Sequence, residues 1–402
     1  MSNNFTIINN KLHIGNILAE QLVQEFGSPL YVYDASIIKQ RFTDLTSSIL
    51  YPKTIFHYAC KANSNLEIIR LLKAQGAHIE TVSPREVEIA FHVGYKPEEI
   101  VFTCSNLSYD ELAWLIGNDV LVNLDSLTQL RRWGEIKSGS SVSLRINQGI
   151  GAGHHEHTIT GGIQSKFGID REQVQEAQKI AKQYDLQIRG LHQHIGSGIL
   201  DERIFLLAME KLLETAMQFP DLEYLDFGGG FGVRYHKDEQ ALEIASLGKK
   251  ITKLLNAFMK SYGKELVVRF EPGRFFVAES GVLLTTVVEV KRNPHKTFVG
   301  INAGMNQLMR QAMYGAYQEI VHAGSVKGEE EQVSVVGNIC ESADFFAREQ
   351  LLPTFSEGDV LAILDSGAYG YSMSSNYNAR SQPAEILVDG DSARLIRKEY
   401  VV

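Results

Sequence analysis

The stretch TIFHYACKANSNLEIIRLLKAQGAHIETV, residues 54–82, decides the architecture. Ile55–Cys60 is a short apolar and aromatic run of strand character. Asn65–Gln75 then spaces apolar residues three and four apart among charged ones, as a covering helix does, and His78–Val82 returns to strand. Strand, helix and strand in about thirty residues is the parallel crossover unit. Reading outward, the alternation continues to residue 277, with strands at Ile100–Cys104, Leu121–Leu124, Ser141–Asn147, Ile188–Ile195, Tyr224–Phe227 and Val267–Phe270 and a second clear helix over Glu172–Tyr184. Eight strands in this length predict a (β/α)8 TIM barrel rather than an open sheet, with chemistry gathered just after the strand ends.

Past residue 280 the texture changes to short alternating strands: Gly281–Val290, Thr297–Ile301, Gln332–Val336, Val360–Leu364 and Glu385–Val388. This predicts an all-β C-terminal domain. The expected division is a barrel over residues 36–280 and a β domain over 281–402. Residues 1–35, with strand-like Lys11–Ile14 and Leu30–Tyr33, are expected to add strands to the β domain. Lys327–Glu331 reads as a solvated acidic loop.

The chain has 402 residues, 44% hydrophobic and 22% charged, enough for a large core, and a formal net charge of −9 without a dense basic block. Nucleic acid and anionic membrane are therefore not expected as partners, and a small molecule is. Cys60, Cys104 and Cys340 are too scattered for a disulfide framework or a zinc site, which suits a reducing cytoplasm. The opening MSNNFTIINN lacks the basic-then-apolar pattern of an export signal, and no run of about eighteen apolar residues occurs, so a cytoplasmic protein is expected.

Four motifs fall just after predicted strands. Lys61, in HYACKANSN, ends the first strand, where partial burial makes an amine nucleophilic. Most lysines are merely solvated, so its neighbours decide. HQHIGSG follows the sixth strand; alternation sends His192 and His194 to one side, with Ser197 beyond, and a histidine ring stacks flat on another heteroaromatic ring. No carboxylate or cysteine stands at ligand spacing near this histidine pair, so no metal is expected. After the seventh strand, DFGGGFG exposes amides at Gly228, Gly229 and Gly230 that suit a phosphate, although a tight turn uses glycine equally well. After the eighth, EPGRF offers Glu271 as a carboxylate for a protonated ring nitrogen.

Together these motifs resemble the fold-type III pyridoxal phosphate-dependent decarboxylases. The C-terminal half narrows the resemblance to the diaminopimelate decarboxylase family, and the segments YACKANSN, TGGIQSKFGI, HQHIGSG, DFGGGFG, EPGRFFVAESGVLL, AGMNQLMRQAMYGAY, GNICESADFF and DSGAYGYSMSSNYNARSQPAEILV stand in family order over nearly the whole chain. The resemblance implies pyridoxal 5′-phosphate carried by Lys61 as a Schiff base, His194 stacked on it and Glu271 at its ring nitrogen. It implies the phosphate near Ser197, Gly229, Gly230 and Gly273, with Arg274 and Tyr369 also at the cofactor. Cys340, from the neighbouring subunit of a homodimer, would protonate the substrate carbon. Arg274, Arg310, Tyr314, Glu341 and Tyr369 would bind the amino-acid substrate. The implied reaction is decarboxylation of meso-2,6-diaminopimelate at its D centre to L-lysine, and arginines with a glutamate suit a distal carboxylate and ammonium.

The chain departs from the family pattern in five places. TVSPRE puts Pro84 and Arg85 where a glycine pair is usual, Glu80 stands for an aspartate, Gln307 for the aspartate of the MND segment, and Gln311 for a proline. Rival readings are a decarboxylase of the same architecture acting on ornithine, lysine, arginine or carboxynorspermidine, an alanine racemase, and a non-catalytic pyridoxal phosphate-binding regulatory paralogue. Arg310 with Tyr314 speaks against substrates lacking a distal carboxylate. The CES motif speaks against two-faced racemisation, and intact Lys61, Glu271 and Cys340 against a silent paralogue.

Overall fold

The computed structural model describes residues 5–153, 155 and 160–401, which divide into two compact units. One comprises Phe42–Val233 and Ala241–Arg274. Beside the two-residue strand Ile169–Asp170, which pairs with Ser141–Asn147 alone, it has eight parallel strands among the described residues: Thr54–Ala59, His78–Thr81, Ile100–Phe102, Leu121–Leu124, Ser141–Asn147, Gln187–His192, Tyr224–Asp226 and Val267–Phe270. Each pairs with the next, and the last pairs with the first, closing the (β/α)8 barrel that the alternation predicts.

Capping residues start several of the covering helices. Asn65 Oδ1 accepts from Glu67 N at 3.0 Å, Ser83 Oγ from Glu86 N at 3.2 Å and Ser126 Oγ from Gln129 N at 3.1 Å, and Ser108 forms a reciprocal box with Glu111. Each satisfies an amide that the first helical turn leaves without a partner. The strands bury polar as well as apolar residues. In Ser141–Asn147, Val142, Leu144 and Ile146 alternate with Ser143, Arg145 and Asn147, so the polar set shares one face. Arg145 meets Asp125 of the neighbouring strand end at 3.3 Å, so a buried ion pair ties these two strands together.

The other unit comprises residues up to Arg41, Arg234–Gln240 and Phe275–Val402. Its main sheet runs in the order Phe345–Pro353, Glu330–Val336, Thr297–Ile301, Gly281–Arg292, Leu30–Asp34, Ala384–Asp389 and Ser392–Arg397. Leu30–Asp34 lies antiparallel to Gly281–Arg292 and parallel to Ala384–Asp389. Lys11–Ile14 behaves differently from the other N-terminal strand: it pairs only within a small three-stranded sheet with Thr6–Ile8 and Ile17–Leu18. It serves the larger sheet through packing, where Leu12 and Ile14 join Val32, Val282, Val321 and Ile386 in one buried cluster. The expected acidic loop over Lys327–Glu331 is shorter than its charge suggested. Strand begins at Glu330, because Glu331 finds cross-strand partners in Arg292, at 3.0 Å, and Thr297, at 2.7 Å.

Candidate active site

The first strand ends in a single 3-10 turn, Cys60–Ala62, that carries Lys61. Register pairs Ala59 with Glu80 on the next strand, so the two side chains meet: Lys61 Nζ lies 2.7 Å from Glu80 Oε2, with Glu80 only 1% exposed. An ion pair this buried holds its lysine in one place, since breaking it strands a charge in a low-dielectric interior.

The sixth, seventh and eighth strands bring a second group together. His192 Nε2 lies 3.2 Å from Glu271 Oε2, and Asp226 completes a buried trio whose ligand-capable atoms all lie within 4.8 Å of one another. Among the described residues this is the one cluster of metal-binding type. Carboxylates thus do stand beside His192, although in sequence they are distant; the barrel register assembles what spacing along the chain does not reveal. Burial, then the neighbouring Glu80, raises the Glu271 carboxyl, while burial, then Glu271, pushes Asp226 up to about 8. Burial takes His192 down to about 4. The trio therefore holds protons on oxygen near neutrality, which opposes cation binding. His194 is likewise driven to the neutral form by burial and by Lys61 and Arg145. Its Nδ1 accepts from Gly229 N at 3.1 Å, leaving the ring proton on Nε2.

The residues expected near a phosphate also converge. Arg274, buried at the end of the eighth strand, donates to Ser197 Oγ through Nε at 3.2 Å and Nη2 at 3.0 Å. The glycine run is dictated by close approach of strand ends: a Cβ on Gly229 would sit 2.2 Å from Glu271 O, and one on Gly230, whose φ is +105°, 2.8 Å from Gly196 O. Gly273 packs against Ala59 and Ala62, flanking Lys61, with contacts of 3.0 and 3.1 Å for an added Cβ.

Sequence reading missed the Arg145–Asp125 pair. Asp125 Oδ1 also accepts from Gly168 N at 3.0 Å, Ser105 Oγ donates to its other oxygen, and the Arg145 guanidinium lies 4.6 Å from the Phe167 ring centre. These contacts pin the end of TGGIQSKFGI. An arginine alternating with valine and leucine inside a barrel strand was the available signal.

In the β-rich unit, Arg310 and Tyr314 stand on one short helix, Arg310–Tyr314. Arg310 is only 2% exposed, with its guanidinium carbon 5.8 Å from the Tyr314 ring centre. Tyr369 adopts a left-handed backbone, φ +56°, unusual for a bulky residue and frequent where a side chain must be aimed. Cys340 and Glu341 are exposed, and Cys340 N donates to Asn378 Oδ1 at 2.7 Å.

The departures from the family pattern find local explanations. Pro84 is the first residue of helix Pro84–Val93, where its fixed φ suits the helix and no amide is needed. Arg85 points to solvent and pairs with Glu88 at 2.6 Å. Glu86 stays turned inward, accepting from Val82 N at 2.7 Å. Gln307 is buried, bonding Gly304 N and Ser381 O at 2.9 Å each. Gln311 donates to Gln318 at 2.9 Å, which in turn donates to Ser366 Oγ at 2.9 Å.

Among the described residues no helix is long and apolar enough to cross a membrane. The model of the family described as "Pyridoxal-dependent decarboxylase, pyridoxal binding domain" matches residues 35–278. The diaminopimelate decarboxylase of Methanothermobacter thermautotrophicus is 41% identical, covering 97% of this chain and 94% of the relative, and that of Escherichia coli K12 is 35% identical, covering 96% of each. The crystal structure of diaminopimelate decarboxylase from M. jannaschii in co-complex with L-lysine is 33% identical with a TM-score of 0.90, covering 99% of this chain and 95% of that one. The Helicobacter pylori enzyme complexed with L-lysine is 35% identical with a TM-score of 0.88, covering 95% and 96%. With its paired lysine, its buried trio of His192, Asp226 and Glu271 and its histidine set by a glycine amide on such a barrel, the chain belongs to the pyridoxal-dependent decarboxylases and, within them, to the diaminopimelate decarboxylase family.

Proposed function

We propose that this chain decarboxylates meso-2,6-diaminopimelate to L-lysine and CO2, the last step of lysine synthesis, in the cytoplasm, with pyridoxal 5′-phosphate at Lys61 and with its active sites shared across a homodimer. Residues 36–280 would serve as the cofactor-binding barrel and 281–402, joined by 1–35, as the β domain. The observation that carries the reading is the Lys61–Glu80 pair set among Glu271, His192 and His194 at the ends of barrel strands. The cofactor fits this donor set. Glu271 Oε1 is buried and, among the described residues, has no hydrogen-bond partner, so it suits a protonated ring nitrogen.

Lys61 would hold the cofactor, His194 would cover its ring, Glu271 would face its nitrogen, and Ser197, Gly229, Gly230, Gly273, Arg274 and Tyr369 would hold its phosphate end. When bound, pyridoxal phosphate supplies the electron sink for the pair left on the α-carbon as CO2 departs. The chain's own groups do the rest. Glu80 keeps the Lys61 amine in one place and gives its proton a counter-charge. Arg274, Arg310, Tyr314 and Tyr369 orient the substrate, the distal carboxylate on Arg310 and the distal ammonium on Glu341. Cys340 of a neighbouring subunit delivers the proton to carbon, and its exposure suits that role. Carbon dioxide release measured on meso-diaminopimelate, ornithine, lysine and arginine tests the reading. Release from diaminopimelate far above the other three is expected; a preference for ornithine, lysine or arginine would overturn the substrate assignment and leave a decarboxylase of the same fold. Mixing Lys61→Ala with Cys340→Ala protein tests the shared site: activity should return through heterodimers, and no return despite subunit exchange would place the site in one chain.

A further inference from the structure

We infer that Tyr235 is a positioning residue for Arg310, and through it a determinant of selectivity for substrates with a distal carboxylate; this rests on the reading of Arg310 just given. Tyr235 follows the glycine-rich loop of the seventh strand in GGGFGVRYHKDE. The chain on both sides of Arg234–Gln240 belongs to the barrel unit, yet this segment packs with the unit that holds Arg310. It is braced on itself. Tyr235 N and His236 N both donate to Glu239 Oε2 at 3.0 Å, and Glu239 N donates to His236 O at 3.0 Å. It is also braced against its unit, where the His236 ring meets Tyr317 edge-on with centres 4.7 Å apart. The turn so fixed sets the Tyr235 ring centre 5.7 Å from the Arg310 guanidinium carbon, with Tyr314 at 5.8 Å.

The two rings are not equivalent. Tyr314 is four residues along the same five-residue helix as Arg310, so it shares any displacement of that helix. Tyr235 stands on a separate segment, in a turn closed by Glu239, and so approaches Arg310 from outside that helix. A ring face also attracts a guanidinium without using any of its N–H donors, so the planar fork remains committed to anions. Tyr235 thus fixes where the fork lies without competing for what it binds. An error in that placement penalises a substrate with a distal carboxylate and leaves one without it unaffected.

The test compares Tyr235→Phe, which keeps the ring, with Tyr235→Leu, which keeps bulk but no π face, in the full cofactor-loaded protein, alone and combined with Arg310→Ala. The Leu variant should raise KM for diaminopimelate roughly tenfold with kcat within about threefold, and inhibition by the product L-lysine, which retains the distal carboxylate, should weaken by a similar factor. The Phe variant should behave as the wild type. In the Arg310→Ala background, adding Tyr235→Leu should change nothing further, since its target is gone. An unchanged KM in Tyr235→Leu, a Phe variant as impaired as the Leu one, or effects that add in the double variant would each overturn the proposal. A wild type that prefers substrates without a distal carboxylate would overturn the reading of Arg310 itself, and the role of Tyr235 with it.

Discussion

The two ends of the barrel are both polar inside, but they neutralise charge in different ways. At the mouth, opposite charges pair, Lys61 with Glu80 at 2.7 Å and Arg145 with Asp125 at 3.3 Å, and the neutral His192 ring lies 3.2 Å from the Glu271 carboxyl. Toward the start of the strands, rings replace carboxylates. Arg269 lies over Tyr224, 4.1 Å from the ring centre, and His57 meets His78 edge-on with centres 5.2 Å apart. Burial and the Arg269 charge drive His57 well below its usual range, so it stays neutral. Aromatic faces hold a cation without adding a second charge near neutral pH. Carboxyl groups gathered together raise one another and hold exchangeable protons, which is what proton-moving chemistry requires. The mouth is built to react, and the floor to close the barrel.

Removing the central group of the mouth breaks this contrast most severely. Lys61→Ala should lower decarboxylation at least on the order of a thousandfold, since on the proposed reading it would delete both the cofactor's attachment and a proton carrier. Borohydride treatment followed by peptide mass mapping should find the cofactor on Lys61 in the wild type and nowhere in the variant; trapping at another lysine would remove the basis of the site. Glu271→Gln keeps size but cannot balance a protonated ring nitrogen, and kcat should fall by about a hundredfold to a thousandfold. Normal turnover in that variant would show that the carboxylate faces something else.

The acid trio predicts a pH effect on the cofactor-free chain. Because the folded Asp226 carboxyl is pushed up to about 8, far above its unfolded range, its contribution to stability is complete in acid and is lost as pH rises toward 8. Above about pH 6.5, where the buried neutral histidines no longer oppose it, chemical denaturation should therefore show stability falling toward pH 8, by roughly 1.4 kcal/mol per pH unit for each such group at most. Asp226→Asn should flatten that slope, and an unchanged slope would assign the effect to other groups. The floor should give the smallest functional effect. Arg269→Met should cost about 1 to 2 kcal/mol of stability through the lost ring contact while kcat stays within about twofold. A large activity loss with full stability would mean that the floor communicates with the mouth.

Much of this was legible in the sequence, for identifiable reasons. Strand and helix alternate with different periods, so barrel strands such as Leu121–Leu124, Ser141–Asn147 and Val267–Phe270 could be read to the residue. Motifs that follow strand ends in a parallel barrel must lie at one rim, so Lys61, His194, Gly229 and Glu271 could be grouped before any contact was known. Pro84 and Arg85 stand out as departures because the family pattern records which residues are usual and is silent on which way they point. As the first residue of a helix and a solvent-facing neighbour they leave inward Glu86 in place.

By itself, then, the sequence determined what is periodic and local: the eight-strand barrel, the strand-rich C-terminal region, and the residue types set at the strand ends. Only the tertiary structure decided the partners. Strand register set Glu80 beside Lys61, barrel closure brought Asp226 and Glu271 to His192, and the packing of Arg234–Gln240 carried Tyr235 onto Arg310. The physical reason is that pairing between charges depends on distance in space, to which separation along the chain gives no guide once strands close into a barrel.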